Sequence, residues 1–413
     1  MNSDNLLVKM AYIKENNISL SNVKDSSLNK QVKAALLDES YKEEFFRRIF
    51  ETDTSDYSKF NDIEMIYLYV HQEKDQDEEK NTQQNTKKEY VRELLHVYLL
   101  LNNNRDQFGI PFNANGELFR TLKEKHIRLY QQWLKTAPLG KGNKPYSIAT
   151  ISRKTTIFKS FLLYLYNRQY ITSPIHKEFL AAKVSKKDRP NRDISKKEVI
   201  QLLEYYRTNP IVHGFLSTLV TTGARIEEIC SAKVSDLTYE KDEMTNQYHY
   251  WLEVTGKGNK NRSLLIHDNV FKAIMRFRRR RRLDTVLNPI DHSPLFTTAK
   301  GKAYQYKNLS MFLTKHIREA DVPFIQINNQ LIEQIDAGLL PNKDKKRIRS
   351  LSPHTLRHAF AIISAENNSD VFRIMQSLGH EKIETTMIYL ENKQSKEQNV
   401  GQDWKGNEIM NYI

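Results

Sequence analysis

Short motifs in the second half of this 413-residue chain combine arginine, histidine, lysine and tyrosine at spacings that could serve phosphoryl transfer. In TTGARIEEI (221–229), Gly223 interrupts an apolar helix, and Arg225 is followed three residues on by Glu228. Positions i and i+3 share a helix face, so Glu228 could orient the Arg225 guanidinium; taken alone, R-x-x-E reads more simply as a surface pair. In LSPHTLRHAF (351–360), Ser352 suits an N-cap and Pro353 the first helical position. His354 and Arg357 then lie one turn apart near an electropositive helix start, a phosphate site or else the polar face of a capped helix. In SLGHEKIETTMIYL (377–390), Gly379 is a helix stop and His380 begins the next turn. Tyr389 falls off the apolar stripe of Ile383, Met387 and Leu390, facing a groove or half-buried as a packing residue. Lys257 sits in TGKGNK, where flanking glycines permit a tight turn; a solvated turn lysine is the simpler reading, and no G-x-x-x-x-G-K-[ST] occurs.

What joins these motifs is their chemistry. Two arginines can clamp non-bridging phosphate oxygens and stabilise charge that builds in the transition state. A tyrosine hydroxyl becomes a nucleophile where surrounding cations favour the phenolate. A lysine can protonate the leaving oxygen. Such a set calls for no metal and no cofactor.

These side chains need elements to hold them. Ser195 and Glu198 make a capping-box pattern ahead of a helix that leads through Phe215 to Val220. Tyr248, Tyr250, Leu252 and Val254 alternate, turn at GKGNKN and continue into RSLLIH, which predicts a β-hairpin. Helices are expected over 269–283, 353–365, 370–378 and 382–391. Upstream, Ile148, Ile151, Phe158, Phe161, Leu162 and Leu165 form a helical stripe, with Arg153, Lys154 and Lys159 on a solvated basic face. The fold class expected is mainly α with one small antiparallel β-sheet (α+β).

Composition narrows the function classes. The chain is 39% hydrophobic and 28% charged, so it can bury a core. No apolar run is long enough to span a membrane and no secretory leader opens the sequence, so neither a membrane nor export is expected. One cysteine, Cys230, leaves no internal disulfide and no cysteine-based zinc site. The net charge of +14 favours nucleic acid as partner. That charge is uneven: residues 1–80 hold 11 basic and 17 acidic side chains, whereas 81–180 hold 16 and 6. The first segment therefore suits protein contact, and the rest suits a polyanion. Polar stretches at 71–88 and 183–193 mark boundaries, giving an accessory region and linker (1–88), a helical domain (89–182), a hinge (183–193), a C-terminal domain (194–395) and a tail (396–413). Arg278 to Arg282 is expected as a solvated or DNA-facing helix end.

The order Arg225, Lys257 in a hairpin turn, His354-x-x-Arg357, Leu378-Gly379-His380 and Tyr389 resembles the tyrosine recombinase (phage integrase) family over about 195–395. More loosely, 89–182 looks like that family's helical (SAM-like) core-binding domain. The resemblance implies two domains closing as a C-shaped clamp on double-stranded DNA. It implies that Tyr389 attacks the scissile phosphate to give a 3′-phosphotyrosyl link, with Arg225 and Arg357 holding the phosphate and His354 and His380 assisting. Lys257 becomes the candidate acid for the 5′-oxygen, and Glu228 the acidic support of Arg225. A homotetramer on two recombination sites is implied, with a directionality or accessory protein as a further partner and the tail contacting a neighbouring protomer. The location expected is a bacterial-type cytoplasm, on the nucleoid. Residues 320–350 are longer than the family minimum, and the acidic start is unlike a basic arm-binding domain. A mobile-element integrase or transposase leads; a Xer-like dimer resolvase and a type IB topoisomerase share the chemistry, while a non-catalytic architectural DNA-binding protein does not. A metal-dependent nuclease is weaker, since no paired-carboxylate site stands out.

Overall fold

The computed structural model describes residues 27–50, 57–77, 81–111, 117–140, 142–185, 188–241, 243, 246–256 and 260–387. Two compact units meet at Arg189 and Pro190, inside the polar stretch 183–193.

The first unit is helical. Its helices are α1 (Ser27–Leu37), α2 (Lys42–Phe50), α3 (Asp62–His71), α4 (Gln84–Asn103), the short α5 (Arg105–Phe108), α6 (Glu124–Thr136) and α7 (Ile148–Asn167). Asn61 starts α3: its side chain accepts from the N–H groups of Ile63 (3.0 Å) and Glu64 (2.9 Å), and Glu64 accepts from the Asn61 N–H. Every residue of α3 is buried, as befits a helix apolar nearly all round. The boundary expected near residue 88 is not a break in packing. Val32, Phe45 and Tyr67 from before it share one core with Leu94, Phe119, Phe158 and Phe161 from after it. Nor is Lys154 on a solvated face, as the stripe implied: it is buried against Glu93 at 2.5 Å, where an amphipathic reading cannot see a partner 61 residues away. Asp62 is wholly enclosed, accepting from the Phe119 N–H (2.9 Å) and the Tyr170 hydroxyl (2.8 Å), and burial pushes its pKa up to about 7.

The second unit opens with α8 (Lys196–Tyr205), whose Ser195–Glu198 capping box is present, and α9 (Pro210–Thr222), followed by the short α10 (Ile226–Ser231). A three-stranded antiparallel sheet follows in the order β1 (Leu237–Lys241), β2 (Tyr248–Thr255), β3 (Asn261–Ile266). The β2–β3 hairpin matches the alternation; β1 is an addition, paired Leu237 to Leu252, whose short run LTYEK carries little pattern. Then come α11 (Asp268–Arg280), α12 (Tyr306–Glu319), α13 (Pro323–Asp336), α14 (Pro353–Glu366) and α15 (Val371–Leu378). Residues 383–387 are helical again. Phe215, Phe277 and Phe296 pack ring to ring at 4.7–5.2 Å in the centre of this core.

The arginine run departs from expectation. Arg279 and Arg280 are exposed, but Arg278 is buried and donates to the carbonyls of Asp284 (2.6 Å) and Leu295 (3.0 Å), latching the loop after α11. The long segment before α14 holds α13 and then ties back: the Asn328 amide accepts the Arg349 N–H at 2.7 Å, and the Ser350 N–H bonds the Asn191 carbonyl at 2.6 Å. Those bonds fix the approach to His354. Among the described residues no helix is long and apolar enough to cross a membrane, and no three His, Cys, Asp or Glu side chains cluster to hold a metal ion.

Candidate active site

Two glycine-ended helices and two helix starts converge in the second unit. Gly223 ends α9 in the left-handed conformation (φ 62°), where a Cβ would lie 2.6 Å from Phe360 and 2.8 Å from Leu378. This sharp exit turns the chain so that Arg225 becomes the N-cap of α10, not a residue within a continuous helix. Arg225 and Glu228 therefore meet as cap and third helical residue. The Glu228 carboxylate accepts the Arg225 backbone N–H (2.6 Å) and its guanidinium (3.0 Å). From β3, Arg262 donates at 2.6 Å to Glu228 Oε2, the oxygen that also accepts the Arg225 backbone N–H, while the Arg225 guanidinium holds Oε1. Glu228 is 1% exposed; burial alone would raise its pKa, but the bonds and charge of Arg262, then those of Arg225, hold it below the usual range.

Ser352 and Pro353 begin α14 as expected, and the Ser352 N–H donates to Thr355 Oγ1 at 3.1 Å. Arg357 is not on a polar face: it is 3% exposed. Its guanidinium donates to the carbonyls of Gly223 (2.6 Å) and Leu378 (2.5 Å) and faces His380 Nε2 at 3.0 Å. Because a guanidinium only donates, Nε2 must accept there, which places the imidazole proton on Nδ1, directed at Thr386 Oγ1 2.9 Å away. Gly379 (φ 62°) closes α15, and its carbonyl accepts from Arg225 at 3.2 Å.

Both site histidines are held neutral at pH 7. Burial, then the charges of Arg357, Arg225 and Arg262, push His380 down to about 4. His354 also falls to about 4, through crowding by the surrounding protein and then the charges of Arg192, Arg357 and Arg225. The His354 ring keeps access to solvent, which moderates the shift without changing its direction. A neutral imidazole leaves one ring nitrogen able to accept a hydrogen bond, and a bound phosphate anion would offset the cationic surround that resists its protonation. His354 packs edge-to-face on His358, centroids 5.2 Å apart.

Arg225, His354, Arg357 and His380 line one cavity of about 480 Å³, together with Tyr306 and Ser310 of α12. Four of the six expected site residues thus share a wall. The other two, Lys257 and Tyr389, lie outside the described residues. Reading the sequence missed Arg262, Arg192 and Thr386. Arg262 stands in an alternating strand where nothing local marks a carboxylate 34 residues away; the paired threonines beside His380 were a signal, had the histidine's tautomer been considered.

With that geometry in hand, comparison with known proteins is specific. Residues 192–396 match the phage integrase family. The chain is 30% identical over 247 residues to tyrosine recombinase XerD of Oceanobacillus iheyensis, spanning 59% of this chain and 71% of that protein. Tyrosine recombinase XerC of Pelotomaculum thermopropionicum is 21% identical over 79% of this chain and 90% of its own length. In fold, the chain is similar to XerH site-specific recombinase bound to its palindromic difH substrate, with a TM-score of 0.54 at 17% identity, covering 90% of this chain and 89% of that one. A lambda integrase dimer bound to a COC′ core site gives 0.50 at 11% identity, over 77% and 92%. The chain belongs to the phage integrase family: it is a tyrosine recombinase, an enzyme of site-specific DNA recombination.

Proposed function

We propose that this recombinase cuts and rejoins double-stranded DNA with Tyr389 as nucleophile, Arg225, Lys257, His354, Arg357 and His380 as its catalytic partners, and a mobile element's ends as substrate. The observation that carries the site assignment is the single cavity whose wall presents Arg225, His354, Arg357 and His380 together. The Tyr389 phenol attacks the scissile phosphorus, the 5′-oxygen leaves, and a 3′-phosphotyrosyl bond forms. The phenol's proton passes to neutral His354, and Lys257 supplies a proton to the departing 5′-oxygen. A partner strand's 5′-hydroxyl reverses the step, so the phosphodiester bond energy is conserved through the covalent link. Arg225 and Arg357 stabilise the oxygens of the pentacovalent transition state, with His380 bonded to Arg357 and fixed by Thr386.

Recombination of two sites brings four protomers together in this reading, and residues 89–182 supply further contacts to the duplex. The acidic first segment, net −6 over residues 1–80, suits a directionality or accessory protein better than DNA, which supports the mobile-element role. The relatives named XerD and XerC favour a second reading, resolution of replicon dimers. The test is to sequence the DNA trapped covalently by the protein on nicked duplex libraries. Recovery of element ends and insertion targets supports the first reading, a single chromosomal repeat supports the second, and no covalent DNA refutes both.

A further inference from the structure

The last three carbonyls at the end of α15, those of Ser377, Leu378 and Gly379, each accept from a different arginine: Arg262, Arg357 and Arg225 in that order. A helix C-terminus carries about half a negative charge, so it is a natural seat for cations. Two of these arginines line the cavity. Arg262 does not, and the reaction described above leaves it without a task.

We propose that Arg262 is a positioning residue of the recombinase: by neutralising Glu228 and clasping the end of α15, it keeps the Arg225 charge directed at the cavity and His380 in register with Arg357. This rests on the reading of the cavity as the phosphate site. The reasoning is electrostatic. Glu228 carries one negative charge and sits between two guanidiniums, so the three groups together present a net positive charge to an incoming phosphate. Without Arg262 the pair Arg225–Glu228 is neutral, and a carboxylate 1% exposed has Arg225 as its remaining ionic partner. Burial makes that demand strong, because an uncompensated buried charge is costly. Geometry adds to charge. One planar guanidinium spans a carboxylate oxygen on α10 and a main-chain carbonyl on α15, which the point charge of a lysine cannot hold in a fixed fork. Lys260 and Glu381 also join β3 to this segment at 2.7 Å, but both are exposed and such a pair contributes little. Arg262 is the more enclosed link, its side chain 12% exposed.

The test uses the full chain and the nicked duplex recovered with the wild-type protein. Arg262→Gln is expected to slow single-turnover adduct formation about ten- to a hundredfold, the scale of losing an outer hydrogen bond to a reacting centre, with duplex affinity changed less than about threefold. Arg262→Lys should recover part of that loss. A readout that a purely structural role would not move is the His380 titration followed by NMR. Arg225, Arg357 and His354 are the other groups whose charge bears on that ring. Its midpoint should rise in Arg262→Gln and stay low in Arg262→Lys. In a Glu228→Gln background the carboxylate charge that Arg262 offsets is gone, so adding Arg262→Gln should cost clearly less than it does in the wild-type protein, the remainder being the lost clasp on α15. Wild-type cleavage in Arg262→Gln, additive losses with Glu228→Gln, or an unmoved His380 would overturn the proposal. If Arg262→Gln does not fold, Arg262→Lys decides: about tenfold slower cleavage supports it, and wild-type cleavage overturns it. Absence of adduct from the wild-type protein would instead refute the cavity reading, and the His380 titration would still test Arg262.

Discussion

Replacing Arg357 with alanine should damage the fold and the chemistry at once, whereas replacing Arg225 should damage mainly the chemistry. Arg357 is 3% exposed and fills the acceptors of two main-chain carbonyls, on Gly223 and Leu378. Leaving a buried acceptor unsatisfied costs about 1–3 kcal/mol, so the two together amount to about 2–6 kcal/mol before any cavity is counted. Arg225 is 32% exposed, its carbonyl partner Gly379 lies at the surface, and Glu228 keeps Arg262 when Arg225 is gone. Its removal should cost about 1 kcal/mol. With a urea dependence of about 2 kcal/mol per molar, the second unit should unfold about 1–3 M earlier in Arg357→Ala and about 0.5 M earlier in Arg225→Ala. Both variants should lose cleavage by about a hundredfold or more, the scale of removing a transition-state donor. Urea titrations followed by circular dichroism, alongside adduct formation on a nicked duplex, separate the two effects. Equal unfolding midpoints for the two variants would refute the view of Arg357 as a buried tie between α9, α14 and α15.

Gly223→Ala should destabilise more than Gly379→Ala. Both positions have φ near 62°, but the new Cβ at Gly223 meets Phe360 and Leu378, while at Gly379 it meets the pliable Arg262 side chain at 3.2 Å; thermal unfolding that ranks them the other way would contradict the packing. The first unit should lose stability as pH rises from about 4 to about 7. Asp62 keeps its proton to about 7 when folded and loses it near 4 when unfolded, so the folded state holds the extra proton across that window, worth at most about 4 kcal/mol. Asp62→Asn should flatten this dependence, and an unchanged slope would place its origin elsewhere. Duplex affinity should fall steeply with salt, as expected when many phosphates are neutralised by lysine and arginine; a flat response would contradict a polyanionic partner.

Local signals in the chain located the ends of elements well. Ser195 with Glu198, Ser352 before Pro353 and Gly379 after Leu378 each stand where the helix starts or stops. Such signals work because capping depends on residues three or four apart. What stayed hidden depends on distance in sequence. Arg278 and Lys154 read as surface cations, yet each finds buried acceptors 17 and 61 residues away. Arg225 was legible as a candidate arginine paired with Glu228 but not as a cap, since the left-handed turn at Gly223 decides where the helix restarts. The burial of Arg357 was equally invisible: its acceptors are main-chain carbonyls, which every residue carries.

The most direct measurement is the identity of the residue joined to DNA. Wild-type protein trapped on a nicked duplex, digested and mapped by mass spectrometry, should carry its nucleotide on the Tyr389 phenol through a 3′-phosphate, and Tyr389→Phe should bind the same duplex without forming any link. A nucleotide on another side chain, or an adduct that survives in Tyr389→Phe, would contradict Tyr389 as the nucleophile.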